Sequence, residues 1–205
     1  MRNLKNGLLL LLFGSLWGVA EVFAGDALFS DRVPYAEVWL AAWALFVLAV
    51  ARGIINKPGT STIVGAFASV YKAVCAAPFF CHILAIFMLG LAFDIASTLL
   101  MKRERKIFFH CSLSGAVSAY SGFALFALAI TYLVRYEYWT VGGLAKVLHH
   151  IFVSGSFAAL AAVVAVPLGY WIGQSGGVVV ERRSRWTYAG ALVALIILWA
   201  LGSMV

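Results

Sequence analysis

The stretch Phe79-Phe-Cys-His-Ile-Leu-Ala-Ile-Phe-Met-Leu-Gly-Leu-Ala-Phe-Asp-Ile-Ala-Ser-Thr-Leu-Leu-Met101 carries one charge, Asp94, and is followed at once by Lys102-Arg-Glu-Arg-Lys106. A helix crosses a hydrocarbon core of about 30 Å with about 20 residues at 1.5 Å each. This run is long enough, and a block of basic charge at its end marks where the chain leaves lipid. Similar runs recur on both sides of it. Six more apolar spans, 7–25, 37–52, 60–77, 108–134, 151–173 and 186–204, fill most of the chain. With 64% hydrophobic and 11% charged residues, 205 residues cannot hide their apolar surface from water. The predicted class is all-α, a polytopic transmembrane helix bundle forming one integral membrane domain over residues 1–205. Its core is 7–173, with six helices, and 186–204 adds a seventh at the C terminus. No soluble domain, internal repeat or low-complexity segment interrupts it.

The span 60–77 is the least regular, because Thr60, Ser61, Thr62, Ser69 and Lys72 break it, and a re-entrant path is the alternative. The basic residues discriminate. If every span crosses, Arg2, Lys5, Arg52, Lys57, Lys102, Arg103, Arg105, Lys106, Arg182, Arg183 and Arg185 share one side. The other side keeps Arg32, Arg135 and Lys146. The positive-inside bias then places the N terminus in the cytoplasm, the C terminus outside, and the chain in the cell (inner) membrane. The net charge of +7 therefore reads as loop retention and contact with anionic lipid, not as a nucleic-acid surface. Residues 1–24 also have the layout of a signal peptide, but Trp17, Glu21 and the closely following second span favour a retained helix.

Charge inside lipid is costly and marks structure or function. Glu21 near the outer end of the first span and Lys72 in the third fall at similar depth and could pair, with a snorkelling Lys72 and an interfacial Glu21 as the alternative. Asp94 is expected to hydrogen-bond a neighbouring helix. The same outer end gathers Tyr71, Cys75, Cys81 and His82, and the 135–150 loop adds Tyr132, Arg135, Glu137, Trp139, His149 and His150. A pocket there, roofed by the 25–36 loop, is the candidate site. Its expected substrate-binding residues are Glu21, Lys72, Tyr71, His82, Tyr132, Arg135, Glu137 and Trp139. Both charge signs and flat rings suit a zwitterionic or heteroaromatic small molecule. Leu144, Val147 and Leu148 suggest a short interfacial helix, and Gly176-Gly177-Val178-Val179-Val180 a cytoplasmic turn.

Other chemistry is weaker. The cysteines and histidines lack metal-ligand spacing, so neither a metal nor another cofactor is expected, although a haem held by His82 with His149 or His150 is the competing picture. Cys75 and Cys81 leave a disulfide open. Ser118, Ser121, Ser154 and Ser156 have no histidine base in a later span, so they read as helix contacts and the chain as a non-enzyme. Gly14/Gly18 and Ala20/Ala24 are small-xxx-small pairs that let another helix approach closely, with packing inside the chain as the default.

Taken with Lys57-Pro-Gly-Thr-Ser-Thr-Ile63 and the Pro78-to-Asp94 segment, those pairs give a chain that resembles the substrate-binding S component of energy-coupling factor (ECF) type ABC transporters. The resemblance covers about residues 7–173. It implies capture of a vitamin-like nutrient at the outer face. It also implies contact through Gly14, Gly18, Ala20 and Ala24 with a transmembrane coupling subunit driven by two ATPase subunits. The chain has no GxxxxGK[ST] loop of its own. The family usually stops at six helices, so 186–204 is a departure. The competing classes are a haem- or metal-binding redox subunit and a membrane scaffold or assembly protein.

Overall fold

The computed structural model describes residues 2–75, 80–101, 107–182 and 184–204, without the side chains of 2–4, 75, 178–182 and 184–187. Pro78 and the Lys102–Lys106 block lie outside the described residues. The helices are α1 (Arg2–Ser30), α2 (Ala36–Ile54), α3 (Thr60–Cys75), α4 (Phe80–Leu100), α5 (Ile107–Leu128), α6 (Glu137–Thr140), α7 (Gly143–His149), α8 (Gly155–Arg182) and α9 (Ser184–Gly202). Two π-helical turns, Ala129–Leu133 and His150–Ser154, extend α5 and precede α8. No strand occurs among the described residues.

Five stretches among the described residues are long and apolar enough to cross a membrane: Lys5–Ser30, Ala36–Ile54, Phe80–Leu100, Ile107–Leu133 and Gly143–Gly177. The chain is thus an all-helical, multi-pass membrane protein. α3, with 16 residues, and the apolar Tyr188–Gly202 part of α9 fall short of that length.

Six helices close into a ring. Packing runs α1–α2–α8–α5–α4–α3 and back to α1, while α9 lies outside against α1. In a ring this wide the middle must be filled by large side chains, and Trp17, Leu45, Leu48 and Phe93 are fully buried in one cluster. Close approach comes from glycine. A Cβ on Gly53 would stand 2.6 Å from the Tyr170 carbonyl oxygen, and one on Gly169 2.5 Å from that of Phe46, so α2 and α8 cross backbone to backbone.

The Gly14/Gly18 face is used the same way within the chain. A Cβ on Gly14 would meet Phe67 at 2.4 Å, and one on Gly18 would meet Tyr71 at 2.6 Å. α3 thus covers both glycines within the chain, the default reading of such pairs. Ala20 is half-buried and Ala24 exposed.

Several boundaries differ from the hydropathy reading. α1 runs on to Ser30, so the expected roof over 25–36 shrinks to a tight turn, with Arg32 and Tyr35 at φ 51° and 56°. The diglycine turn does not form either, because α8 continues through Gly176 and Gly177 to Arg182. The short helix expected around Leu144–Leu148 is α7.

The end of the ring nearest the N terminus is held by a buried ionic knot. Arg52, 4% exposed, meets Asp94 Oδ1 at 3.3 Å. Its guanidinium also donates to Thr98 Oγ1 at 3.0 Å and to the Lys57 carbonyl. Asp94 Oδ2 accepts the Gly59 N–H at 2.7 Å and the Thr62 hydroxyl at 3.0 Å, which caps the start of α3. Asp94 thus ties α4 to α2 and α3. Arg52, counted by sequence as a loop charge, is buried within the last turn of α2.

Candidate functional site

At the opposite end of the ring the helices splay around a cavity of about 470 Å³. Every wall has a local cause. α1 supplies Trp17, Glu21 and Phe29, and the first turns of α2 supply Glu37, Leu40 and Ala41. Cys81, His82 and Leu89 come from α4, and Gly122, Phe123 and Phe126 from α5. The segment between α5 and α8 folds over the rest, bringing Tyr138, Trp139, Lys146, His149, His150 and Ser154. That segment holds its shape through Phe126, Ile130, Trp139 and Val147, which form a small buried cluster of their own.

Aromatic rings dominate the lining. His150 stacks on Phe123 with centroids 4.8 Å apart and meets Trp139 edge-on at 5.1 Å. Phe126 and Trp139 are perpendicular at 5.1 Å. His82 stacks on Phe29 at 5.1 Å. Lys146 folds back so that Nζ sits 3.1 Å above the Tyr138 ring centroid and 5.0 Å from that of Trp139, donating to the Tyr138 carbonyl at 2.9 Å.

Two carboxylates face this apolar space. Glu21, 8% exposed, accepts the Trp17 indole N–H at 2.9 Å. Glu37 accepts the Ser154 hydroxyl at 2.7 Å, joining the start of α2 to the turn before α8. Among the described residues the salt bridges are Arg52–Asp94 and Lys72–Asp26, so neither cavity carboxylate has a cationic side chain within 4 Å.

Of the eight residues expected at the site, Glu21, His82 and Trp139 line the cavity together. The other five lie elsewhere. Lys72 is 1% exposed, but it reaches past Glu21's side chain to that residue's carbonyl at 2.8 Å and to Asp26 Oδ1 at 3.1 Å. The Glu21–Lys72 side-chain pair is therefore replaced by Lys72–Asp26, because α1 continues one more turn and brings Asp26 within reach. Tyr71 is fully buried and turned towards α9: its ring packs edge-on against Trp199 at 5.0 Å, and its hydroxyl donates to the Leu198 carbonyl at 2.5 Å. Tyr132, Arg135 and Glu137 are exposed and off the cavity wall.

Sequence reading passed over Glu37, Trp17, Phe123, Phe126, Lys146 and Ser154 as lining groups. Glu37 looks like an ordinary first-turn acid at a helix start. Its one distinguishing signal is that it begins an apolar span at the same end as Glu21. His149 and His150, adjacent in sequence, both line the cavity.

Among the described residues no group of three His, Cys, Asp or Glu side chains is placed to hold a metal ion. Cys81 is a free thiol; the side chain of Cys75 lies outside the described residues. Ser118, Ser121 and Ser156 donate to carbonyls of their own helices or the adjoining turn, and Tyr120 and Ser156 join α5 to α8. A second cavity of about 480 Å³ lies at the Arg52 end and includes Asn56, Tyr170 and Gln174. Comparisons with protein-family models, with curated proteins and with solved structures return no match.

Proposed function

We propose that this protein is a membrane-embedded solute-binding subunit that captures a small organic molecule in the cavity between Trp17, Glu21 and Trp139. The observation that carries this reading is the cavity itself. A space of about 470 Å³, walled by aromatic rings with a few placed polar groups, has the size and make-up of a small-ligand site. A scaffold has no need to keep such a space open inside lipid.

In this reading α1, α2, α3, α4, α5, α8 and α9 all cross, the Arg52 end faces the cytoplasm, and the cavity opens outward. The positive-inside asymmetry of the loops supports that orientation. Uptake is then driven by a transmembrane coupling subunit with two ATPase subunits. The docking face on α1 is reduced to Ala20 and Ala24, since Gly14 and Gly18 pack on α3. The chain contributes binding and no covalent chemistry.

Native mass spectrometry of the detergent-purified protein, with chemical analysis of what it carries, tests the proposal. An organic molecule of a few hundred daltons, lost on Trp139→Ala, is the expected result. Haem or a metal ion in its place would overturn it in favour of a redox subunit. A coupling partner retained with a cavity that neither copurifies nor rebinds any organic solute would favour a scaffold.

A further inference from the structure

Resting on the reading of this cavity as a solute site, we infer that its ligand is an organic monocation: a protonated or quaternary amine carried on a flat apolar body. The charge count in the cavity points there. Arg135 lies on the outer surface, and Lys72 is engaged by Asp26 and the Glu21 carbonyl. The carboxylates and ammonium that face the space are Glu21 and Glu37 against Lys146, with the imidazoles of His82, His149 and His150 beside them.

Glu21 is more than nine-tenths buried and accepts the N–H of a neutral indole. A carboxylate has room for about four donors, so most of its accepting capacity is still open towards the cavity. Glu37 is held by one neutral hydroxyl. Two acids whose hydrogen bonds among the described residues come from neutral donors, in a space walled by rings, form an acceptor for positive charge. A ligand carboxylate or phosphate entering the same space would meet two like charges instead.

The rings add to this rather than merely filling space. Lys146 already sets an ammonium 3.1 Å above the Tyr138 face, so the aromatic wall at this end does hold a cation. Trp17, Phe123, Phe126 and Trp139 give further faces or edges for the flat body, and His82 and His150 are stacked on phenylalanines in the same wall. The orientation follows: the cationic group lies between Glu21 and Glu37, and the ring lies among Phe123, Phe126 and Trp139.

The test uses the full chain in lipid nanodiscs and three probes of one shape: 2-phenylethylammonium, neutral 2-phenylethanol and anionic phenylacetate. Binding is read by tryptophan fluorescence and by calorimetry. The ammonium is expected to bind at least about tenfold more tightly than the alcohol, with phenylacetate weakest. Glu21→Gln keeps an acceptor for Trp17, and Glu37→Gln keeps one for Ser154. Each is expected to weaken the ammonium by about fivefold or more and leave the alcohol unchanged. Equal affinity for ammonium and alcohol, or preference for phenylacetate, would overturn the monocation while leaving a solute cavity standing. A neutral or anionic molecule copurifying in the cavity would do the same. Absence of binding by all three probes, with no copurified organic molecule, would overturn both.

Discussion

Trp17 and Glu21 stand one turn apart on α1, and the indole N–H of the first donates to the carboxylate of the second at 2.9 Å. The bond fixes the direction of a buried acid and the tilt of the largest side chain in the ring's centre. Trp17→Phe removes the donor and leaves Glu21 buried. A loss of about 1–3 kcal/mol in stability is expected, read by thermal unfolding in detergent. Glu21→Gln should cost less, since the amide oxygen still accepts. Equal losses would mean that packing of the indole, not the hydrogen bond, carries the effect.

Lys72 gives a second test, because sequence and structure name different partners for it. Asp26→Asn keeps an acceptor but removes the negative charge beside a buried ammonium, and is expected to lower stability by about 1–2 kcal/mol. The Asp26 side chain is 57% exposed, so the full cost of breaking a buried pair does not apply. In a double-mutant cycle, coupling of Lys72→Met should be larger with Asp26→Asn than with Glu21→Gln. The reverse order would restore the Glu21–Lys72 pair.

The Arg52–Asp94 knot joins three helices, and its disruption should be severe. Asp94→Asn is expected to cost about 3–5 kcal/mol and to deplete folded protein in the membrane, since Arg52 is left buried without its anion. Replacing both with apolar residues, Arg52→Met with Asp94→Leu, should recover part of that loss. A single mutant no worse than the double would show that the capping bonds to Gly59 and Thr62 matter more than the charge pair.

Gly18 and Ala24 distinguish folding from the proposed partnership. Gly18→Leu drives a side chain into Tyr71 and is expected to reduce folded yield. Ala24→Leu, on an exposed site, should leave thermal stability within about 0.5 kcal/mol and weaken only association with a coupling subunit. Retained association in a folded Ala24→Leu protein would move the docking face off α1.

Orientation is measurable directly. Single cysteines at Lys57 and Val141, in a background lacking the native cysteines, sit at opposite ends of the ring. An impermeant maleimide added to intact cells should label position 141 and spare position 57. Labelling of 57 alone would invert the topology.

Much of the helical plan was legible because hydropathy is a property of long windows. Spans two, four and five match α2, α4 and α5 with its π-helical turn, and Asp94 serves neighbouring helices as its depth suggested. What hydropathy could not supply was the direction of side chains. Asp26 looked like a loop acid because charge normally ends a span, yet Lys72 offsets its cost and α1 continues. Gly176-Gly177 looked like a turn because glycine weakens helices. Tyr71 and Trp139 are equally aromatic and placed at the same end, but register points one at α9 and the other into the cavity. Arg135 and Glu137 were counted as site charges on proximity in sequence, whereas the structure leaves both exposed.

The two π-helical turns on either side of α6 and α7 set an arithmetic for the chain's length. A π-helical turn holds one residue more than an α-helical turn, and one residue corresponds to about 100° of rotation about a helix axis. Removing a single residue within 129–133 would let α5 continue as a regular helix and turn the point at which the chain leaves it by that angle. The 134–136 link would then have to be rebuilt for Trp139 to keep its place against Phe126. Point substitutions in these turns leave that phase intact, while a one-codon deletion resets it. The segment over the cavity therefore tolerates changes of side chain far better than changes of residue count.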